Sequence, residues 1–248
     1  MEVGFRTDKG KHRKNNEDAC FVIPKENVYI LCDGVGGNNS GEVASMKTVS
    51  GIAEYVSENP LDKVKTFRTV KTYFGSCLQK INYEVLKESR SSAENRGMAT
   101  TLVLTYFSGS RVYAMNVGDS RAYILRDGKL KQITEDHTYV NSLVKAGVIT
   151  EAEAVDHENR NMITRAVGAD YGVQPDFFTC NVKVGDILLM CSDGLYDEVP
   201  EAKMTELLLQ DKSMNDIASD LVDTANKNGG ADNITVITLK VTDQDLDK

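Results

Sequence analysis

The succession of apolar runs in these 248 residues predicts an α+β fold built on two packed antiparallel sheets. Three observations lead there. Strand-like runs come in groups joined by tight turns; helical stretches stand between the groups and do not follow every strand; and about ten strands suit two packed sheets better than one open sheet. Hydrophobic residues at 41% and charged residues at 27% supply the core and surface of a globular protein. No repeat, low-complexity tract or linker interrupts the pattern, so residues 1–241 read as a single domain followed by a charged tail, 242–248.

Residues 2–7 alternate weakly and read as an edge strand, followed by a polar loop, 7–18, dense in charge and turn formers. Residues 19–23 and 28–32 form a hairpin across Pro24-Lys25-Glu26-Asn27. Asn39 with Glu42 reads as a capping box opening a helix, whose inward face carries Val43, Met46, Val49, Ala53 and Val56. After Pro60 a longer helix sets Phe67, Val70, Phe74, Leu78, Ile81 and Val85 at intervals of three or four, a stripe for packing. A polar loop, 89–97, ends the helical region. Four runs, 101–107, 111–117, 121–125 and 129–133, then read as one antiparallel meander, with Asp127-Gly128 as its last turn. A helix around Val140, Leu143 and Val144 stops at Gly147, and Thr150 with Glu153 caps a short one. Residues 159–176 have little periodicity and are expected to form a mobile loop over a site. A buried strand (186–191), two helices (201–210 and 213–227) and a closing strand (233–241) complete the chain.

The net charge of −8 and a pI near 5.0, with no basic run, argue against nucleic acid as a partner. Apolar runs of a few residues are too short to span a membrane, and Met1-Glu2-Val3-Gly4 does not open a secretory signal. Five cysteines scattered without CxxC spacing fit a reducing compartment, so the expected location is cytoplasmic.

The chemistry-bearing stretches fall at strand ends. Cys32-Asp33-Gly34-Val35-Gly36-Gly37 closes the run 28–32, so a buried strand delivers one carboxylate, and the glycines let the backbone turn close to whatever it holds. An Asp-Gly pair alone is an ordinary turn. Repetition changes that reading: Gly118-Asp119-Ser120-Arg121, Ser192-Asp193-Gly194 and Ala231-Asp232-Asn233 each stand beside an apolar run. Four aspartates at strand ends point to one convergent acidic site, which needs cations to offset its own repulsion. Oxygen donors without a histidine partner suit Mg²⁺ or Mn²⁺ over zinc, and His12, His137 and His157 have no metal-binding spacing. Two cations about 3.5–4 Å apart can share a carboxylate and generate hydroxide near neutral pH, chemistry used most often on phosphate esters. Arg13, five residues before Asp18, is placed to anchor the phosphate. Rival chemistries leave no trace: the sequence holds no cysteine–arginine phosphatase loop, Gly-x-Ser-x-Gly elbow or Walker loop.

Taken in order, Arg13-x-x-Asn16-Glu17-Asp18, Asp33-Gly34-x-Gly36-Gly37, Thr100-Thr101, Gly118-Asp119-Ser120-Arg121, Ser192-Asp193-Gly194-Leu195 and Gly230-x-Asp232-Asn233 resemble the motifs of the metal-dependent protein phosphatases of the 2C type. The resemblance runs from about residue 7 to about 241. Thr134-Glu135-Asp136-His137 and Asn161-x-Ile163-Thr164-Arg165-Ala166-Val167-Gly168 resemble the bacterial branch. It implies a four-layer αββα sandwich, two antiparallel sheets flanked by helices, with Mn²⁺ or Mg²⁺ at one end: two core ions and a weaker third. Asp33 would bridge the core pair, joined by the carbonyl of Gly34; Asp193 and Asp232 would complete one ion, and Glu17 would bind or orient water on the other. Asp18 would sit behind these ligands, Asp119 would share the third ion with Asp193, and Arg13 would grip the phosphate. Substrates would be phosphoserine and phosphothreonine proteins, a cognate serine/threonine kinase among them, and the enzyme a monomer without nucleic-acid or membrane partners.

Two positions depart from the family pattern. Val35 stands where many eukaryotic relatives carry a histidine proposed to protonate the leaving group, so no general acid is assigned. Ala99 replaces a usual glycine in Met98-Ala99-Thr100-Thr101, which touches only local backbone geometry. Two alternatives stay open: a regulatory domain without turnover, which loss of a bridging or terminal aspartate would mark and none is lost, and a hydrolase of small phosphate esters using the same site.

Overall fold

The structure, a computed structural model, describes residues 1–36 and 40–246. Its strands are β1 (Glu2–Asp8), β2 (Asp18–Ile23), β3 (Val28–Val35), β4 (Ala99–Thr100), β5 (Leu102–Ser108), β6 (Arg111–Val117), β7 (Arg121–Arg126), β8 (Lys129–Gln132), β9 (Asp176–Asn181), β10 (Ile187–Cys191) and β11 (Ile234–Lys240). Its helices are α1 (Gly41–Glu58), α2 (Phe67–Ser89), α3 (Tyr139–Lys145), α4 (Glu151–Val155), α5 (Asp193–Tyr196), α6 (Glu201–Leu208), α7 (Met214–Asn228) and α8 (Asp243–Leu246). One sheet runs β1-β11-β10-β7-β8; the other runs β2-β3-β5-β6-β9, with β4 pairing β3.

Side-chain alternation sorts each inner strand between two cores. Tyr29 and Leu31 of β3 meet Leu188 and Met190 of β10 and Ile237 and Leu239 of β11 in the core between the sheets. Val28, Ile30 and Cys32 turn the other way, onto Ile52 of α1 and Phe74 and Leu78 of α2. On the far side, Leu189, Cys191, Ile234 and Val236 pack against Ile217, Leu221 and Val222 of α7. Strands covered on both faces have no polar side to show, which is why 28–32 and 187–191 are unbroken apolar runs. The four layers are thus helices, sheet, sheet, helices.

Three sequence expectations need correction. The four runs between 101 and 133 are not one meander. β5 pairs β6 in one sheet and β7 pairs β8 in the other, and the chain changes sheets across Gly118-Asp119-Ser120. Gly118 makes that crossing at φ +96°, where an added Cβ would lie 2.7 Å from Cγ2 of Thr101. On α1 the covered face is Ala44, Ser45, Thr48, Val49, Ile52 and Val56, whereas Met46 is 60% exposed. Small and hydroxyl residues let this helix lie close on β2 and β3, with Ser45 Oγ donating to the Glu17 carbonyl at 2.6 Å. Finally, β9, absent from the strand pattern, forms the edge of the second sheet along β6. Half of the Asn39–Glu42 capping pair lies outside the described residues; Ser40, at the start of α1, donates its Oγ to the Glu94 carbonyl instead. The expected cap at Thr150 forms and Ser213 caps α7 in the same way, each accepting from the amide three residues on.

Candidate active site

The ends of β3 and β10 and the starts of β2, β7 and β11 meet at one end of the sandwich, around a cleft of about 300 Å³. Arg13, Glu17, Asp33, Gly34, Asp119, Asp193 and Asp232 line it, together with Val35, Gly36, Asn161, Ile163 and Asn233. The structure therefore brings together every expected site residue except Asp18, which stands behind the lining as the register partner of Asp33. A larger cavity of about 520 Å³ lies between α2 and β9, away from these carboxylates. Chemistry, not size, picks the site.

Hydroxyl and amide side chains fix the segments that bear the carboxylates. Thr101 Oγ1 accepts from the Asp33 amide at 2.9 Å while Thr100 Oγ1 donates to the Asp33 carbonyl at 2.8 Å. Ser120, next to Asp119, bonds Thr101 Oγ1 at 2.7 Å, so two carboxylate-bearing segments share one threonine. Ser192, before Asp193, donates to Asp18 Oδ2 at 2.8 Å and accepts from the Thr235 amide at 3.0 Å. Asn233, after Asp232, accepts from the Glu17 amide at 2.8 Å and donates to the carbonyls of Lys9 and Asn15, both at 2.9 Å. The motif positions Thr100, Thr101, Ser120, Ser192 and Asn233 thus hold the carboxylate-bearing segments to one another. Sequence alone marked them as motif members but gave them no work, because each partner lies far away in the chain. Gly34 matters for space: a Cβ there would sit 2.3 Å from the Gly41 carbonyl oxygen, where α1 begins. Ala99 is buried in β4 opposite Val35 without disturbing the ladder.

Asp18 and Asp119 are buried at 7% and 6% exposure, while Asp33 and Asp193 open partly into the cleft. Burial raises the Asp33 carboxyl well above its usual range, and Asp18, Asp193, Asp119 and Asp232 add like-charge repulsion. Burial likewise pushes Asp18 up to about 7 against the bonds from Thr235 and Ser192, and Asp119 up to about 8 with help from Asp193. Asp193 rises to about 6 through burial and its neighbour Asp232. Glu17 rises for the same first reason, burial. Oδ1 of Asp18 and Oδ1 of Asp193 are buried without a hydrogen-bond partner. Buried carboxylate oxygens without donors fit a cation, and an oxygen-only lining fits a hard one. As they lie, no three acidic, histidine or cysteine side chains among the described residues close round a single point. Arg13 Nη2 instead pairs with Asp232 Oδ2 at 2.5 Å on the rim of the cleft. The guanidinium expected to hold phosphate is thus held by a site carboxylate.

A two-sheet sandwich that gathers carboxylates from five strand ends into one cleft, with an arginine on the rim, is the framework of a cation-dependent phosphohydrolase. The chain belongs to the protein phosphatase 2C family, whose model matches residues 9–236. The serine/threonine phosphatase stp of Listeria innocua is 36% identical over 243 residues, covering 97% of this chain and 96% of that protein. The solved structure of the S. agalactiae serine/threonine phosphatase superposes with a TM-score of 0.90 at 34% identity, over 97% of this chain and 99% of that one. The catalytic domain of the phosphatase PstP, solved in complex with two manganese ions, gives a TM-score of 0.84 at 34% identity, over 97% and 98% of the two chains. The protein is a metal-dependent phosphoprotein phosphatase, with Mn²⁺ or Mg²⁺ as its cofactor, and its fold is the αββα sandwich that the sequence implied.

Proposed function

We propose that the chain removes phosphate from phosphoserine and phosphothreonine in proteins by direct attack of water, with no covalent phosphoenzyme. The observation that carries this reading is the convergence of Glu17, Asp33, Asp119, Asp193 and Asp232 on one cleft that has Arg13 at its rim. The absence of a nucleophilic motif in the sequence supports it, as do buried thiols whose pKa values burial drives up: Cys191 to about 12, Cys77 to about 12 and Cys32 well above its normal value. When bound, Mn²⁺ or Mg²⁺ lowers the pKa of water and neutralises the phosphate. Asp33 and the Gly34 carbonyl would hold both core ions, with Asp193 and Asp232 on one and Glu17 on the water side of the other. Asp119 would share a third, weaker ion with Asp193, and Asp18 would orient the ligands from behind. Arg13 would release Asp232 to its core ion and turn its planar fork on the phosphate.

The serine/threonine phosphatases among its relatives support a role opposite a serine/threonine kinase. A cleft lined within one chain supports action as a monomer. No helix among the described residues is long and apolar enough to cross a membrane, and five cysteines without CxxC spacing support a cytoplasmic role. Phosphothreonine and phosphoserine peptides test the proposal directly. Turnover is expected to stop with chelator, return with Mn²⁺ or Mg²⁺, and survive alkylation of the accessible cysteines. Chelator-resistant, alkylation-sensitive turnover would sink it.

A further inference from the structure

His137 is 5% exposed and does not line the cleft. Its bonds all lead to segments that do, or that adjoin them. The His137 amide donates to the Gly118 carbonyl at 2.9 Å, and the Gly118 amide donates back to Nδ1 of the ring at 3.1 Å. One residue therefore satisfies both main-chain groups of the glycine that precedes Asp119. Asn116 adds a second donor to the same carbonyl, at 3.1 Å. Because Nδ1 accepts, the neutral ring carries its proton on Nε2. That proton is donated to Asp176 Oδ2 at 3.1 Å, so Arg165 Nη1, which lies 3.2 Å from Nε2 and can only donate, is not bonded to the ring. Arg165 reaches the other oxygen of Asp176 at 3.1 Å and the Gln174 carbonyl at 3.2 Å. The His137 carbonyl accepts from the Thr164 amide at 2.7 Å and from Thr164 Oγ1 at 3.0 Å, one residue beyond Ile163 on the cleft wall.

We propose that His137 is a positioning residue for phosphate-ester hydrolysis: Nδ1 sets the turn that aims Asp119 into the cleft, and Nε2, bonded to Asp176, holds the ring with Nδ1 free to accept. The proposal rests on the reading of Asp119 as a ligand of the weaker ion. Gly118 at φ +96° has a backbone that few other bonds hold, so the direction of Asp119 depends on where its amide points. Ring and carbonyl together make His137 the point through which the sheet crossing and the long segment before β9 move as one piece.

Two substitutions separate the halves of the ring. In His137→Asn the amide oxygen takes the place of Nδ1; in His137→Gln the amide nitrogen takes the place of Nε2. We expect Asn to keep the Gly118 amide slow to exchange and to hold kcat on a phosphothreonine peptide within about threefold of the parent. His137→Gln and His137→Ala should free that amide, lower kcat on the order of tenfold and raise the Mn²⁺ concentration for half-maximal rate. Nitrogen NMR of the parent ring should find the proton on Nε2. A proton on Nδ1, equal loss of kcat in Asn and Gln, or parental kcat in all three variants would overturn the proposal. Parental turnover in Asp119→Ala would overturn the underlying reading of Asp119, and with it the Nδ1 half of the proposal; exchange of the Gly118 amide would still report whether the bond exists.

Discussion

Asp33 and Asp232 were legible in the sequence because a carboxylate beside an apolar run, followed by glycine or asparagine, is a local pattern. What each needs in order to stay in place is not local. Thr101 meets Asp33 across 68 residues and Asn233 meets Glu17 across 216, so no window of sequence contains both partners. Asp33→Asn removes one charge and little shape. It should keep the fold while turnover falls by about a hundredfold or more, since even outer partners of a bound metal are worth about 10–100-fold. Calorimetric Mn²⁺ titration identical to the parent's would contradict a bridging role. At Arg13, the pair with Asp232 leaves a guanidinium beside the cleft that lysine cannot reproduce as a planar fork. Arg13→Lys should lose on the order of tenfold in kcat/KM with phosphopeptide, while Lys14→Ala, an exposed neighbour, should change little; equal effects would make Arg13 an ordinary surface charge.

At the scale of elements, lengths and periods were well read and neighbours were not. The stripe from Val70 to Val85 on α2 is buried as spaced, because that helix meets the sheet through large apolar side chains. The face of α1 was misread because it is built from alanine, serine and threonine, which carry no hydropathy signal. Splitting one expected meander between two sheets has a similar cause: β5 and β6 of one sheet and β7 of the other are all buried along most of their length, so their patterns are alike. The close seat of α1 gives a sharp expectation. Gly34→Ala would drive a Cβ to 2.3 Å from the Gly41 carbonyl, prising the helix from β3 at the metal end. It should cost roughly 1–3 kcal/mol in urea unfolding, the range of overpacked cores. Unchanged stability with unchanged turnover would mean that α1 shifts freely.

For the whole molecule, the acidic end stores a penalty that depends on pH. The carboxyls of Asp193, Asp18 and Asp119 hold protons up to about 6, 7 and 8, far above an unfolded aspartate. Between those limits the native chain binds more protons than the unfolded one, so this part of its stability is complete at low pH and drains away as pH rises through that range. The chelated protein should therefore lose melting temperature between about pH 5.5 and pH 8, and Mn²⁺ should raise it more at the higher pH. A Mn²⁺ effect larger at the acid end would place the cation elsewhere.

The pairing of β1 with β11 also has a consequence for how the chain is made. Residues 2–8 are made well before residues 234–240 and have no hydrogen-bonding neighbour in their sheet until those follow. Closing that loop is the longest-range step available to the chain, and such steps come late and slowly. Asp232 arrives in the same last stretch, joining the segment at Lys9 and Asn15 through Asn233. A nascent chain halted short of that point has an exposed edge and an unfinished acidic cleft. The sheet edge and the acidic cleft are thus completed by the same late segment.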